Sequence, residues 1–195
     1  MPKASTFRPA RIDDAAVLAE LVNYAGEGLP LYLWGKLASV GETAWDVGRL
    51  RAARETGSFS YRNATIIEHA GHVAGSLIGY AIPEVVEPVP ADMPAMFVPL
   101  QELENLAPST WYVNVLAVLP PYRSRGLGTD MLQLADNVGR EKGCRGMSVI
   151  VSNANHRARR LYKSLGYAET AQRPMVKEGW INDGTEWVLL TKLQA

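Results

Sequence analysis

The stretch Val113–Thr129, VNVLAVLPPYRSRGLGT, contains the change from strand to helix around which the chain is organised. Its first part, Val113–Leu119, is apolar and rich in β-branched residues, which is typical of a buried strand. Pro120 and Pro121 end the strand because neither can donate a hydrogen bond to a neighbouring strand. After a glycine-containing turn, apolar residues recur with helical spacing at Leu127, Met131, Leu134, Ala135 and Val138.

The turn has the properties of an anion-binding site, and we call it the anion cradle. It consists of Arg123, Ser124, Arg125, Gly126, Leu127, Gly128 and Thr129. A helix start carries about four N–H groups without intrahelical partners and roughly half a positive charge. Glycines allow a ligand to approach that backbone closely, and two arginines add full charges. The cradle therefore suits a phosphate or pyrophosphate.

Two common phosphate-binding motifs do not match. The Rossmann fingerprint needs three glycines and a nearby acidic residue, and the P-loop needs Gly-Lys-Ser/Thr. Arg-x-x-Gly-x-Gly after a strand that ends in Ala-Val-x-Pro instead resembles the coenzyme A-binding motif of the GNAT N-acetyltransferase superfamily. Arg123, Gly126 and Gly128 occupy its three defining positions.

A second run, from Asn155 to Tyr167, resembles the other hallmark of that superfamily, N-x-x-A-x-x-L-Y-x-x-x-G-F. All positions match, with Tyr167 in place of the usual Phe. An intervening helix and strand separate this run from the cradle, as the superfamily requires. Two motifs in the right order make the resemblance strong, and it covers nearly the whole chain.

Composition limits the remaining classes of protein. With 195 residues, the chain fits one domain, residues 1–195, with a Pro-rich acidic insertion at 84–109. Twenty basic and 20 acidic residues balance, so we expect no nucleic-acid or membrane partner. The single Cys144 and the lack of a signal peptide or spanning run favour a cytoplasmic location. His69 and His72 lack further nearby ligands, so no metal is expected.

Elsewhere, periodicity and breakers predict the order of helices and strands. Asp13 is the expected N-cap of the first helix, whereas Leu29–Glu55 gives only an unclear indication of helices. A short helix is possible at Ala95–Leu106 inside the acidic insertion, and Gly71 is expected in a hairpin turn. Strands are predicted at Ser5–Ala10, Ser60–Ala70, His72–Pro83, Trp111–Leu119, Gly146–Val151, Tyr167–Thr170 and Glu186–Leu193.

The resemblance implies a mixed α/β fold, with a central, mostly antiparallel sheet of about seven strands and helices on both faces. Two neighbouring parallel strands, Trp111–Leu119 and Gly146–Val151, would splay apart. The main-chain amides of the cradle would hold the pyrophosphate of acetyl-CoA. The open edge at Leu116, Ala117 and Val118 would bind the pantetheine arm, together with Asn155.

The implied chemistry is acetyl transfer to a primary amine. Tyr162 would donate a proton to the departing thiolate. Many relatives carry a Glu on the strand before the cradle, but the polar residue here is Asn114, which cannot take a proton and could only hold a water. Glu84 is the first carboxylate to test as the general base; Glu102 and Glu104 are alternatives. No cysteine lies in either motif, which favours direct attack by the amine.

The acidic segment Glu84–Ser109 suggests the class of acceptor. It contains five acids and no Lys or Arg, so we expect a small cationic amine. Arg173 and Lys177 in the last loop could instead recognise the carboxylate of an amino acid. Two other functions stay open: a catalytically silent acyl-CoA-binding or sensing module, and a protein N-terminal or lysine acetyltransferase. The protein is expected to be a monomer or a homodimer.

Overall fold

The computed structural model describes residues 5–193, which contain seven strands and six α-helices. The strands are β1 (Ser5–Pro9), β2 (Ala64–His69), β3 (His72–Ala81), β4 (Thr110–Val118), β5 (Gly146–Ser152), β6 (Ala168–Pro174) and β7 (Glu186–Leu193). The helices are α1 (Ala15–Ala25), α2 (Leu29–Leu37), α3 (Ala44–Ala52), α4 (Val98–Asn105), α5 (Leu127–Glu141) and α6 (His156–Ser164).

The strands form one mixed sheet in the order β1-β2-β3-β4-β5-β7-β6. The pairs β1–β2, β2–β3, β5–β7 and β6–β7 are antiparallel. β4 and β5 are parallel, and their ladder runs only from Thr110–Gly146 to Val113–Val149. β4 continues to Val118 and β5 to Ser152 beyond that ladder. The predicted fold class and splayed parallel pair are confirmed.

The described residues form two compact units, each built from two stretches of sequence. The first unit comprises residues 5–79 and 115–132. Its core contains residues from α1, β2 and the end of β4, among them Leu18, Ile66 and Val115. Trp34 of α2 is 3% exposed and stacks on Phe59, with ring centroids 5.8 Å apart.

The second unit comprises residues 80–114 and 133–193 and carries α4, α6 and the C-terminal strands. Met147 of β5 and Leu190 of β7 are fully buried in it. The Thr110 hydroxyl donates to the Ala107 carbonyl and shares a hydrogen bond with Ser148, both at 2.7 Å. These bonds satisfy polar groups where β4 begins. Whether the whole chain is one domain stays a prediction.

Three local predictions differ from the structure. β6 extends to Pro174 rather than ending at Thr170, so Arg173 lies in a strand and not in the last loop. β2 begins at Ala64 rather than Ser60, because residues 61–63 form a 3-10 turn whose start Ser60 caps with its hydroxyl. Asp13 is not the N-cap of α1: a 3-10 turn at Ile12–Asp14 precedes the helix, and Asp14 is the N-cap residue. The Asp14 carboxylate accepts hydrogen bonds from the Arg11 N–H and the Arg8 guanidinium.

The hairpin turn and the helix inside the acidic segment are as predicted. Ala70 and Gly71 connect β2 to β3 with φ angles of 52° and 78°. Two positive φ values are those of the type I′ turn, which matches the twist of antiparallel strands. α4 occupies the centre of the stretch Ala95–Leu106.

Candidate active site

The anion cradle lies in the first unit, between the end of β4 and the start of α5. A 3-10 turn at Pro120–Tyr122 follows the strand, and the helix begins at Leu127. The Asp130 N–H donates to the Gly126 carbonyl at 3.0 Å, which closes the first helical turn. The N–H groups of Leu127, Gly128 and Thr129 precede this bond, as in helix starts that bind anions.

Gly126 leaves the backbone of the cradle open to a ligand. Its φ angle is 82°, in the left-handed region that favours glycine. A Cβ atom at this position would have no protein heavy atom within 4 Å outside its chain neighbours. The space beside the backbone is therefore available, and the cradle fits the pyrophosphate of coenzyme A.

The two arginines of the cradle also stabilise the turn itself. Arg123 donates from Nε to the Val118 carbonyl at 3.0 Å, and its guanidinium lies 5.5 Å from the centre of the Tyr24 ring. Arg125 donates to the Pro121 carbonyl at 3.4 Å. Their side chains therefore close the turn and place positive charge beside the N–H groups at the start of α5.

The end of β4 is positioned by β3. The Leu119 N–H donates to the Ala74 carbonyl at 2.8 Å. A Cβ atom at Gly75 would lie 2.4 Å from the Ala117 carbonyl oxygen, so only glycine permits this approach of the two strands. Gly75 was not singled out from the sequence, although a glycine inside a strand often marks such a close approach.

Asn155 and Tyr162 lie in the second unit. Asn155 directly precedes α6, and Tyr162 is on that helix. Asn155 caps the helix, because its Oδ1 accepts from the Ala158 N–H at 3.1 Å. Tyr162 is 6% exposed, and its ring centroid lies 5.7 Å from that of Tyr167. Burial raises the pKa of Tyr162, so this hydroxyl holds its proton through the neutral range. The contacts of Asn155 and Tyr162 with the cosubstrate stay predictions.

The two groups predicted to handle the acceptor's proton differ in their surroundings. Asn114 is half-buried in β4. Glu84 lies past the end of β3, its side chain is 69% exposed, and it accepts a hydrogen bond from Arg145 at 2.6 Å. An exposed ion pair of this kind contributes little to stability.

α4 brings together a carboxylate and two tyrosines that the sequence did not connect. The Tyr80 hydroxyl donates to Glu104 at 3.0 Å, and the Tyr80 and Tyr112 rings pack edge to face at 5.4 Å. Glu104 was one of three candidate carboxylates in the sequence. Glu102 and Glu104 both flank the fully buried Leu103, so no local signal in the sequence ranks Glu104 first.

Residues 5–193 contain no group of three or more His, Cys, Asp and Glu side chains that could hold a metal ion. In the same part of the chain, every helix is too short or too polar to cross a bilayer.

The chain is similar to a known protein family. Residues 37–167, which include the cradle and the second motif, match the family described as the acetyltransferase (GNAT) family. The chain belongs to the GNAT family.

Similar proteins agree with this membership. Thialysine N-epsilon-acetyltransferase of Mus musculus is 35% identical over 79 residues, which are 38% of this chain and 44% of that protein. The chain thus matches less than half the length of this curated relative. A solved structure described as an acetyltransferase has a TM-score of 0.65 at 20% identity, covering 96% of this chain and 98% of its own.

A third similarity is to yncA of Salmonella typhimurium, solved with its cofactor acetyl-CoA. The TM-score is 0.57 at 18% identity, covering 97% of this chain and 94% of that chain. At such identities, the two structures show that the GNAT fold extends over nearly the whole chain.

Proposed function

We propose that this GNAT protein is an N-acetyltransferase that transfers acetyl from acetyl-CoA to a primary amine, by direct attack of the amine nitrogen. The observation that carries the proposal is the open anion cradle at the start of α5. Its main-chain N–H groups would hold the pyrophosphate, and the edge at Leu116, Ala117 and Val118 would bind the pantetheine arm like an added strand. Acetyl-CoA supplies the activated acetyl thioester.

The reaction balances without a covalent enzyme intermediate. A C–N bond forms between the amine and the acetyl carbon, the C–S bond breaks, and one proton from nitrogen ends on sulfur. Tyr162 would donate to the thiolate and regain a proton from the new amide nitrogen. Cys144 is the single cysteine, and burial raises the pKa of its thiol, which disfavours a nucleophilic thiolate.

We further propose a small cationic amine as the acceptor. The acidic segment supports this class, as does the name of the mouse relative, an acetyltransferase of an amino group. The two cations that could have bound an acceptor carboxylate make internal bonds: Arg173 donates to Glu102 at 2.8 Å, and Lys177 donates to the Asn182 carbonyl at 2.6 Å. These bonds disfavour recognition of an acidic acceptor by Arg173 and Lys177.

The test is release of free coenzyme A from acetyl-CoA with a panel of acceptors. The panel contains small cationic amines, amino acids, peptides with a free N-terminus and lysine peptides. We expect the small cationic amines to have the highest kcat/KM. Binding of coenzyme A without turnover of any acceptor would instead indicate a silent acyl-CoA-binding module, and preference for peptides would indicate a protein acetyltransferase.

A further inference from the structure

Within the acidic segment, Glu104 has a different kind of hydrogen-bond donor from Glu84 and Glu102. Glu84 and Glu102 each accept from an arginine outside the segment, Arg145 at 2.6 Å and Arg173 at 2.8 Å. Glu104 is half-buried and accepts instead from a neutral hydroxyl, that of Tyr80, at 3.0 Å. A carboxylate bonded to a neutral donor keeps more affinity for a proton than one bonded to a guanidinium.

Burial also acts on the Glu104 carboxyl. It raises the pKa of Glu104, and the hydrogen bond from Tyr80 opposes the rise only in part. Burial also raises the pKa of Tyr80, which the charge of Glu104 raises further, so Tyr80 remains a donor. Glutamates that act as bases are commonly shifted in this direction, because a base must hold the proton that it takes.

Glu104 also shares its surroundings with the predicted proton donor. Tyr112 of β4 is buried, and its pKa is raised first by that burial and then by the charges of Tyr80, Glu104 and Tyr162. All three groups are therefore close enough to Tyr112 to act on it electrostatically. The second unit thus carries a carboxylate that can take a proton and a hydroxyl that can give one, each close to Tyr112.

We propose that Glu104 is the general base of the acetyl transfer and that Tyr80 is the residue that positions it. The proposal rests on the N-acetyltransferase function proposed above. The acceptor arrives as an ammonium ion and loses one proton to a Glu104 carboxylate oxygen, and Glu104 later releases that proton to water. The neutral amine then attacks, and a second proton from nitrogen ends on sulfur. A negative carboxylate at this point also attracts a cationic acceptor.

The test compares two acceptors in one variant, Glu104→Gln. One is the best cationic amine of the panel; the other is its analogue with a trifluoromethyl group on the carbon that carries the amino group, which is largely neutral at the assay pH. With the cationic acceptor at saturation, we expect kcat to fall about 10²–10⁴-fold, as for loss of a general base. With the neutral acceptor, the loss should be less than about tenfold, because no ammonium has to be deprotonated. Equal losses with both acceptors would overturn the proposal.

A matched control is Glu141→Gln, which changes an exposed glutamate at the end of α5. It should leave both rates unchanged. If the wild-type protein acetylates no amine, the proposed function fails; if it does so and Glu104→Gln is as active as wild type, only the assignment of Glu104 fails.

A pH profile provides a second readout, also for the case in which Glu104→Gln does not fold. In Tyr80→Phe the carboxylate loses a hydrogen bond that lowers its pKa, so the acid limb of kcat/KM should move to higher pH. The groups around Glu104 that could complicate this reading are Tyr112, Tyr162 and the Arg173–Glu102 pair. The tyrosines stay neutral on the acid side, because burial raises the pKa of each. An acid limb that does not move would overturn the positioning role of Tyr80.

Discussion

At the scale of single residues, Tyr162 offers the sharpest test of the chemistry. Tyr162→Phe should leave the affinity for coenzyme A nearly unchanged and lower kcat and kcat/KM together, as for an interaction made in the transition state. General acid catalysis contributes about 10²–10⁴-fold, and a good leaving group such as a thiolate places the loss toward the lower end. Calorimetry with coenzyme A and steady-state rates measure the two quantities.

Tyr167→Phe is the matched control for that variant. The Tyr167 ring packs against Tyr162, and in the described part of the chain its buried hydroxyl has no hydrogen-bond partner. Removing it should therefore not slow turnover. Full turnover by Tyr162→Phe, or an equal loss in both variants, would contradict a role of Tyr162 as the acid.

The raised pKa of Tyr162 determines how kcat should respond to alkaline pH. Its pKa is raised by burial, so the proton it donates is present at neutral pH and is lost only above the ordinary tyrosine value of about 10. We expect kcat to show no fall due to Tyr162 as the pH rises from 7 to about 10. Such a fall in wild type, absent from Tyr162→Phe, would mean that the hydroxyl titrates in that range.

At the scale of elements, we expect the turn into α5 to decide whether the cosubstrate binds. Gly126→Val places a β-branched side chain at a φ of 82° and fills the open space beside the cradle backbone. We expect the affinity for coenzyme A to fall by about 2 kcal/mol or more, in addition to a loss of stability from backbone strain. Calorimetry measures the affinity, and thermal unfolding measures the stability.

Gly143→Val separates these two effects. Gly143 follows α5 at a φ of 71°, and a Cβ atom there would likewise have no protein heavy atom within 4 Å outside its chain neighbours, but it lies outside the cradle. The substitution should cost similar stability and leave coenzyme A binding unchanged. Unchanged affinity in a folded Gly126→Val variant would show that the cradle does not hold the cosubstrate.

At the scale of the whole molecule, the charge of the acidic segment should act on the encounter with the acceptor. Changing Glu84, Glu87, Glu102 and Glu104 to Gln together removes four negative charges and releases Arg145 and Arg173 from their ion pairs. We expect KM for a cationic acceptor to rise, and the difference from wild type to shrink with added salt. A KM that is unchanged at low salt would refute the electrostatic attraction; the single variants show which carboxylate contributes.

Local sequence patterns predicted most of the fold, because turn residues, prolines and glycines, and the spacing of apolar residues each determine structure over a few positions. The two motifs placed β4, α5 and α6 correctly. The start of α3 carried a readable signal that was missed, since Thr43 and Asp46 form a capping box. The burial of Trp34 could not be predicted within Leu29–Glu55, because it depends on packing against α3, where a Cβ atom at Gly48 would lie 2.5 Å from the Trp34 ring.

The candidate site was predictable only where its chemistry is local. Arg123 and Gly126 stand in one turn, so their spacing was enough to predict that turn, while their binding of the cosubstrate stays a prediction. The carboxylates of the acidic segment could not be ranked, because their partners come from distant positions: Glu84 meets Arg145, Glu102 meets Arg173, and Glu104 meets Tyr80. Such pairings arise from tertiary packing rather than from neighbouring residues.

The short ladder between β4 and β5 has a consequence for amide hydrogen exchange. Between Thr110 and Val113, amides on both sides of β4 have strand partners, but beyond Val113 the ladder to β5 has ended. In the free protein, the amides after Val113 that face away from β3 should exchange rapidly with solvent deuterium. The amides between Thr110 and Val113 should exchange slowly. One continuous strand would then show two protection classes, divided next to Asn114, and a ligand that pairs with the later half would merge them into one.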